Sequence, residues 1–130
     1  MVTSENRAEI SLMVVDDELF VRNITVRILN KLGYRNVDTA NNGEVALGKL
    51  ICTETSYDII ICDLNMPEMD GETLMRHVKA SPKLTAIPII VISSAAHEGN
   101  VEKLKSQGAV AVINKPMSPT AISDAVAALE

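Results

Sequence analysis

The sequence has no surplus of positive charge: 12 Lys and Arg stand against 17 Asp and Glu, a net charge of −5. Such a chain lacks the basic footprint that grips nucleic acid or an anionic membrane, so neither is expected as a direct partner. Cysteine is scarce. Cys52 and Cys62 form neither a C-x-x-C pair nor part of a Cys/His cluster, and both are expected to be small core residues kept reduced. Long apolar runs are missing as well: the longest, residues 87–92, is far too short to span a bilayer, and residues 1–11, with Glu5, Arg7 and Glu9, have no signal-peptide core. A soluble, cytoplasmic protein is expected. Neither a G-x-x-x-x-G-K-[ST] loop nor a G-x-G-x-x-G turn is present, so a nucleotide cradled by this chain is not expected. Without repeats or low-complexity linkers, 130 residues read as one domain, residues 11–130, after a polar leader, residues 1–10.

What is present is a set of short apolar runs, each ending in chemistry. Residues 59–61, three isoleucines without polar alternation, read as a strand covered on both faces, and Asp63 stands at its carboxyl end before the turn residues Pro67 and Gly71. Residues 12–15 form a second run, ending in Asp16, Asp17 and Glu18. Residues 87–92 form a third, with Pro88 at its start and Ser93 and Ser94 at its end, and residues 109–113 a fourth, ending in Asn114 and Lys115. Residues 36–40 read as a weaker strand. Between them lie helical patterns: Phe20, Ile24, Ile28 and Leu32 before Gly33; Val45 to Ile51 after Asn42 and Gly43; residues 72–79, 98–107 and 121–129, the last with Ser118 as N-cap and Pro119 at the first helical position.

Five strands alternating with five helices predict an α/β fold, a parallel doubly wound sheet. In such sheets ligands bind outside the carboxyl ends of the strands, which is where Asp16, Asp17, Asp63, Ser93 and Lys115 fall. Three carboxylates gathered there repel one another, so a cation is expected among them. Oxygen-only ligands with no nearby His or thiolate suit Mg²⁺ better than Zn²⁺ or copper. Lys115 and Ser93 add a positive charge and a hydroxyl donor for the oxygens of a transferring phosphoryl group, and a carboxylate such as Asp63 can attack phosphorus.

Four pieces, Val14-Val15-Asp16-Asp17-Glu18, residues 63–71 from Asp63 through Met66-Pro67 to Asp70-Gly71, residues 88–93, and Lys115-Pro116, resemble in this order the receiver domain of two-component response regulators, the CheY-like family. The resemblance covers essentially everything after Ser11. It implies a flavodoxin-like five-stranded sheet of order 2-1-3-4-5. It implies that Asp63 accepts a phosphoryl group from a phosphohistidine on a histidine kinase or histidine phosphotransfer protein, and that Mg²⁺ is held by Asp17 directly, by Asp16 chiefly through water, by Asp63 and by the backbone carbonyl of Asn65. Ser93 would be the switch hydroxyl and Lys115 the pairing amine, with a cis Lys115–Pro116 peptide. A downstream protein would read the switched surface, and the chain would be a signalling module, not an enzyme, either stand-alone or cut from a longer regulator. The chain also departs from the family: Val112 replaces an aromatic three residues before Lys115, so a two-position aromatic relay is unavailable, and Met117 replaces Phe. Small Ala95 and Asn65 should leave water some access to an acyl phosphate, giving hydrolysis neither unusually slow nor unusually fast.

Taken singly, these residues have ordinary readings. Asp16 and Asp17 could cap the first helix, Lys115 could be a solvated turn lysine, and Ser94, His77 and His97 read as surface residues. Met66 and Met69 read as loop packing. A pseudo-receiver that never turns over phosphate is opposed by the intact set of Asp16, Asp17, Asp63, Ser93 and Lys115; a phosphohydrolase would want a second Asp at position 65, which is Asn.

Overall fold

The computed structural model describes residues 4–52, 56–64, 66, 69–94, 98–115 and 118–129. Strands β1 (Ser11–Val15), β2 (Asn36–Ala40), β3 (Ile59–Asp63), β4 (Ile89–Ser93) and β5 (Ala109–Asn114) form one sheet. Every pairing is parallel and the order is β2-β1-β3-β4-β5, as the resemblance implied. Helices α1 (Leu19–Lys31), α2 (Gly43–Ile51), α3 (Gly71–Ala80), α4 (Glu98–Ser106) and α5 (Pro119–Ala127) connect them.

The unbroken apolar runs have their cause in this layering. Alternate residues of each central strand enter opposite cores. Met13, Val15, Ile60, Cys62 and Val91 join Ala46 and Leu50 of α2 and Leu74, Met75 and Val78 of α3. On the other face Leu12, Val14, Ile59, Ile61 and Ile92 join Ile28 and Leu29 of α1 and Ile122 and Val126 of α5. Every residue of β3 and β4 is buried, whereas β2 and β5, at the sheet edges, are only partly so.

Element ends follow the local chemistry within a residue or two of expectation. Asn42, Asp70 and Ser118 each accept a hydrogen bond from an amide three residues on, capping α2, α3 and α5. Strand β4 begins at Ile89, not Ile87; Pro88 has no N–H for the ladder, though its carbonyl accepts from the Ile60 amide at 3.0 Å. Gly33, at φ 104°, ends α1: its amide donates to Asn30 O and the Tyr34 amide to Leu29 O, a pattern closed by Tyr34 and Leu29 in the same core.

Two expectations change. Cys62 is buried, but Cys52 is exposed: it caps the C-terminus of α2, and its carbonyl accepts from the Lys83 ammonium at 3.1 Å. A local pattern of small residues does not reveal that this helix end faces solvent. The leader, in turn, contains a 3₁₀-helix, Ser4–Glu9, with two anchors in its polar composition. Ile10 is buried, and Arg7 Nη1 donates to Leu32 O at 2.8 Å while its guanidinium lies 5.3 Å from the centre of the Tyr34 ring. A cation at a helix C-terminus satisfies an end carbonyl and complements the helix dipole. Arg7→Ala should therefore lower stability by about 1–2 kcal/mol, read by urea unfolding. No helix among the described residues is long and apolar enough to cross a membrane.

Candidate functional site

The chain moves outward from β1 to β2 and then returns to place β3 on the opposite side of β1, which opens a crevice above the carboxyl ends of β1 and β3. Asp16 follows β1, Asp63 is the last residue of β3, Ser93 the last of β4, and Lys115 follows β5 directly. The strand ladders set their height. The Asp16 amide donates to Ala40 O at 3.1 Å, the Leu64 amide to Ile92 O at 2.9 Å and the Lys115 amide to Ser93 O at 3.0 Å.

One carboxylate oxygen from each of Asp16, Asp17, Glu18 and Asp63 lies within 4.8 Å of the others. Asp63 is 2% exposed, and its Oδ2 is 3.1 Å from Lys115 Nζ, an ammonium only 19% exposed at its side chain. Ser93 is fully buried on the strand beside Asp63. Asp16 and Asp17 do not cap α1, whose N-cap is Glu18 without a side-chain bond. Instead Asp16 Oδ1 accepts from the Glu18 amide at 2.9 Å, and Arg22 Nη1 clamps the Asp16 carbonyl at 2.7 Å. Asp16 Oδ2 is buried with no hydrogen-bond partner among the described residues.

That orphaned oxygen carries the electrostatic argument. Burial pushes the Asp16 carboxyl up to about 6, against the lowering effect of the Glu18 amide bond and with a further push from the charge of Asp63. At Lys115 burial opposes the ammonium, but the hydrogen bond to Asp63 and the charges of Asp63, Asp16 and Glu18 outweigh it, holding the amine above its ordinary range. Four carboxyl groups with one ammonium among them leave room for a dication. An all-oxygen donor set with an unsatisfied buried oxygen fits a hard ion such as Mg²⁺.

The structure thus brings Asp16, Asp17, Asp63 and Lys115 together, with Ser93 on the adjacent strand. Asn65, the Lys115–Pro116 peptide, Ala95, His97 and Met117 lie outside the described residues. His77 is exposed on α3, and Met66 is buried in the core with Met69 packed against it, as loop packing requires. Val112, in place of the aromatic, packs partly buried against the same core.

Three features escaped sequence reasoning. Glu18 contributes to the acid cluster and its Oε1 lies 3.4 Å from Lys115 Nζ; only its position directly after the acid pair hinted at this. Arg22, one turn into α1, gave no signal at all. Gly71 reads as a turn residue, but its role is steric: a Cβ there would lie 2.6 Å from Asp63 O and 2.8 Å from Leu64 Cα.

Known proteins resemble this chain in sequence and in fold. The chain is 34% identical over 113 residues to the chemotaxis protein CheY1 of Helicobacter pylori, covering 87% of this chain and 90% of that protein. It is 39% identical over 106 residues to a protein-glutamate methylesterase/protein-glutamine glutaminase of Archaeoglobus fulgidus, a match over 80% of this chain but 29% of that longer protein. The solved CheX–CheY–BeF₃–Mg²⁺ complex of Borrelia burgdorferi superimposes with a TM-score of 0.84 at 28% identity, covering 92% of this chain and 88% of that one. Residues 12–127 match the response regulator receiver domain, and with the strand order and the acid crevice already described, the chain belongs to the response regulator receiver domain family.

Proposed function

We infer that Asp63 accepts a phosphoryl group and that the rest of the crevice serves that transfer. The observation that carries this reading is the Asp63 carboxylate, 2% exposed yet 3.1 Å from Lys115 and gathered with three further carboxyl groups, one of which has an unsatisfied buried oxygen. An Asp63 oxygen attacks the phosphorus of a phosphohistidine; the P–O bond forms, the P–N bond breaks, and the imidazole leaves with the electron pair. Asp16, Asp17 and Asp63 would hold Mg²⁺, which when bound neutralises charge on the phosphoryl oxygens. Lys115 supplies a second positive charge, within hydrogen-bond reach of Asp63.

Ser93 is the hydroxyl that would respond to the phosphoryl group. Because Val112 offers no aromatic to couple to it, the change passes to the segment after β4 and to α4 directly. The donor is a histidine kinase or histidine phosphotransfer protein, the reader a separate protein, and the module, residues 11–130, works in the cytoplasm. The likeness to CheY1 and to the CheY of the Mg²⁺- and BeF₃-bound complex supports this reading.

Intact-mass measurement after incubation with acetyl phosphate and Mg²⁺ tests it. A gain of one phosphoryl group, about 80 Da, that requires Mg²⁺ and disappears in Asp63→Asn is expected. A folded protein that gains nothing from acetyl phosphate or from a phosphorylated histidine kinase would be a pseudo-receiver.

A further inference from the structure

Glu18 is the one carboxylate of the cluster that the phosphoacceptor reading leaves without a task. Its backbone is fixed on both sides: its amide donates to Asp16 Oδ1 at 2.9 Å, and its carbonyl accepts from the Arg22 amide at 2.9 Å. Its side chain, 59% exposed, stands at the mouth of the crevice, with Oε1 3.4 Å from Lys115 Nζ. The same ammonium is 3.1 Å from the buried Asp63 Oδ2. Lysine carries a compact charge with three donors, so a single ammonium can be divided between two carboxylates that the sequence separates widely.

We propose that Glu18 is a positioning residue that shares Lys115 with Asp63 in the metal-free protein and ties the placement of the amine to cation binding. The proposal rests on the phosphoacceptor reading of the site. A dication among the four carboxyl groups competes with the ammonium for the same oxygens, Glu18 included. With the cation bound, the pull of Glu18 on Lys115 weakens and the amine is left to Asp63 and to whatever Asp63 carries. With no cation, Lys115 is drawn toward the mouth. The Arg22 amide and Asp16 hold the Glu18 backbone in place, so the fold sets the point from which its side chain reaches Lys115.

A double-mutant cycle on Mg²⁺ affinity, measured by calorimetry, reads the coupling. While Lys115 occupies part of the Glu18 carboxylate, Glu18→Gln should weaken Mg²⁺ binding only about twofold, but about tenfold in a Lys115→Met background, where Glu18 acts on the cation undivided. Equal losses in the two backgrounds would overturn the proposal. A second measurement does not depend on the lysine variant: in metal-free protein the Lys115 side-chain NMR signal should move in Glu18→Gln and stay in place in Glu44→Gln, a change on α2. A Lys115 signal that ignores Glu18→Gln would also overturn it. If the unmodified protein binds no Mg²⁺ at all, the phosphoacceptor reading fails, while the metal-free signal still reports on the Glu18–Lys115 pair.

Discussion

Asp16→Asn is expected to make the metal-free protein more stable at about pH 8 by roughly 2–3 kcal/mol, and to abolish the stabilisation that Mg²⁺ confers. Burial pushes the Asp16 carboxyl from 3.8 to about 6. An acid that holds its proton more tightly in the folded chain than in the unfolded one is neutral in both states at low pH, where it costs nothing. As pH rises between the two values the unfolded chain ionises first, so stability falls, and above about 6 the loss is complete. At about 1.4 kcal/mol for each tenfold change in proton affinity the loss is roughly 3 kcal/mol, a figure in which the relief from the neighbouring Lys115 charge is already included.

Asparagine keeps an oxygen for the Glu18 amide but brings no charge into the crevice. Urea unfolding in chelator across this pH range should show the advantage of Asp16→Asn shrinking toward about pH 4, as the unmodified protein recovers. Adding Mg²⁺ at about pH 8 should stabilise the unmodified protein and leave the variant unchanged. If the two proteins are equally stable throughout, Asp16 is not held against its preferred protonation state. If Asp16→Asn is the more stable, the crevice carries, in stability terms, a cost of the proposed function: a carboxylate destabilised without a cation is one that a cation would relieve.

Gly71→Ala is expected to cost about 2–4 kcal/mol and to impair the proposed acceptor, Asp63, at the same time. Gly71 is the first residue of α3, and its amide donates to Leu64 O at 2.8 Å, drawing the start of the helix onto the end of β3. Its added methyl would meet backbone atoms, Asp63 O at 2.6 Å and Leu64 Cα at 2.8 Å, which cannot rotate away as a side chain could. Relief requires α3 or the end of β3 to move, and Asp63 moves with the latter. Thermal unfolding would show the loss of stability, and the phosphoryl mass gain under acetyl phosphate should slow even in the folded fraction. An alanine variant with unchanged stability would mean that helix and strand can separate freely at this point.

These residues show where sequence reading succeeds and where it stops. Asp63, Ser93 and Lys115 stand out because each closes a run of β-branched or small apolar residues, buried in β3 and β4 and partly so in β5, and a polar group there lies at the carboxyl edge of a parallel sheet. The acid pair after residues 12–15 was legible in the same way. The strand order was not in the periodicity: alternation of strands and helices permits several orders, and only the resemblance to receiver domains selected this one. Glu18 carries no such signal, because the period of a helix says which face a side chain takes and nothing about Lys115, 97 residues away. Arg7 looked like a charge in a polar leader, and its bond to Leu32 exists only because α1 ends where Gly33 turns the chain.

By itself, then, the sequence determined that the central strands are buried, where each strand hands over to a loop, and which chemical groups stand at those points, because hydrophobic periodicity and capping are local properties. Tertiary structure alone decided the distances: that Lys115 lies between two carboxylates, that Asp16 keeps one oxygen unsatisfied, that no side chain fits at Gly71. Those follow from the packing of elements remote in the chain, where a few tenths of an ångström separate an ion pair from a clash.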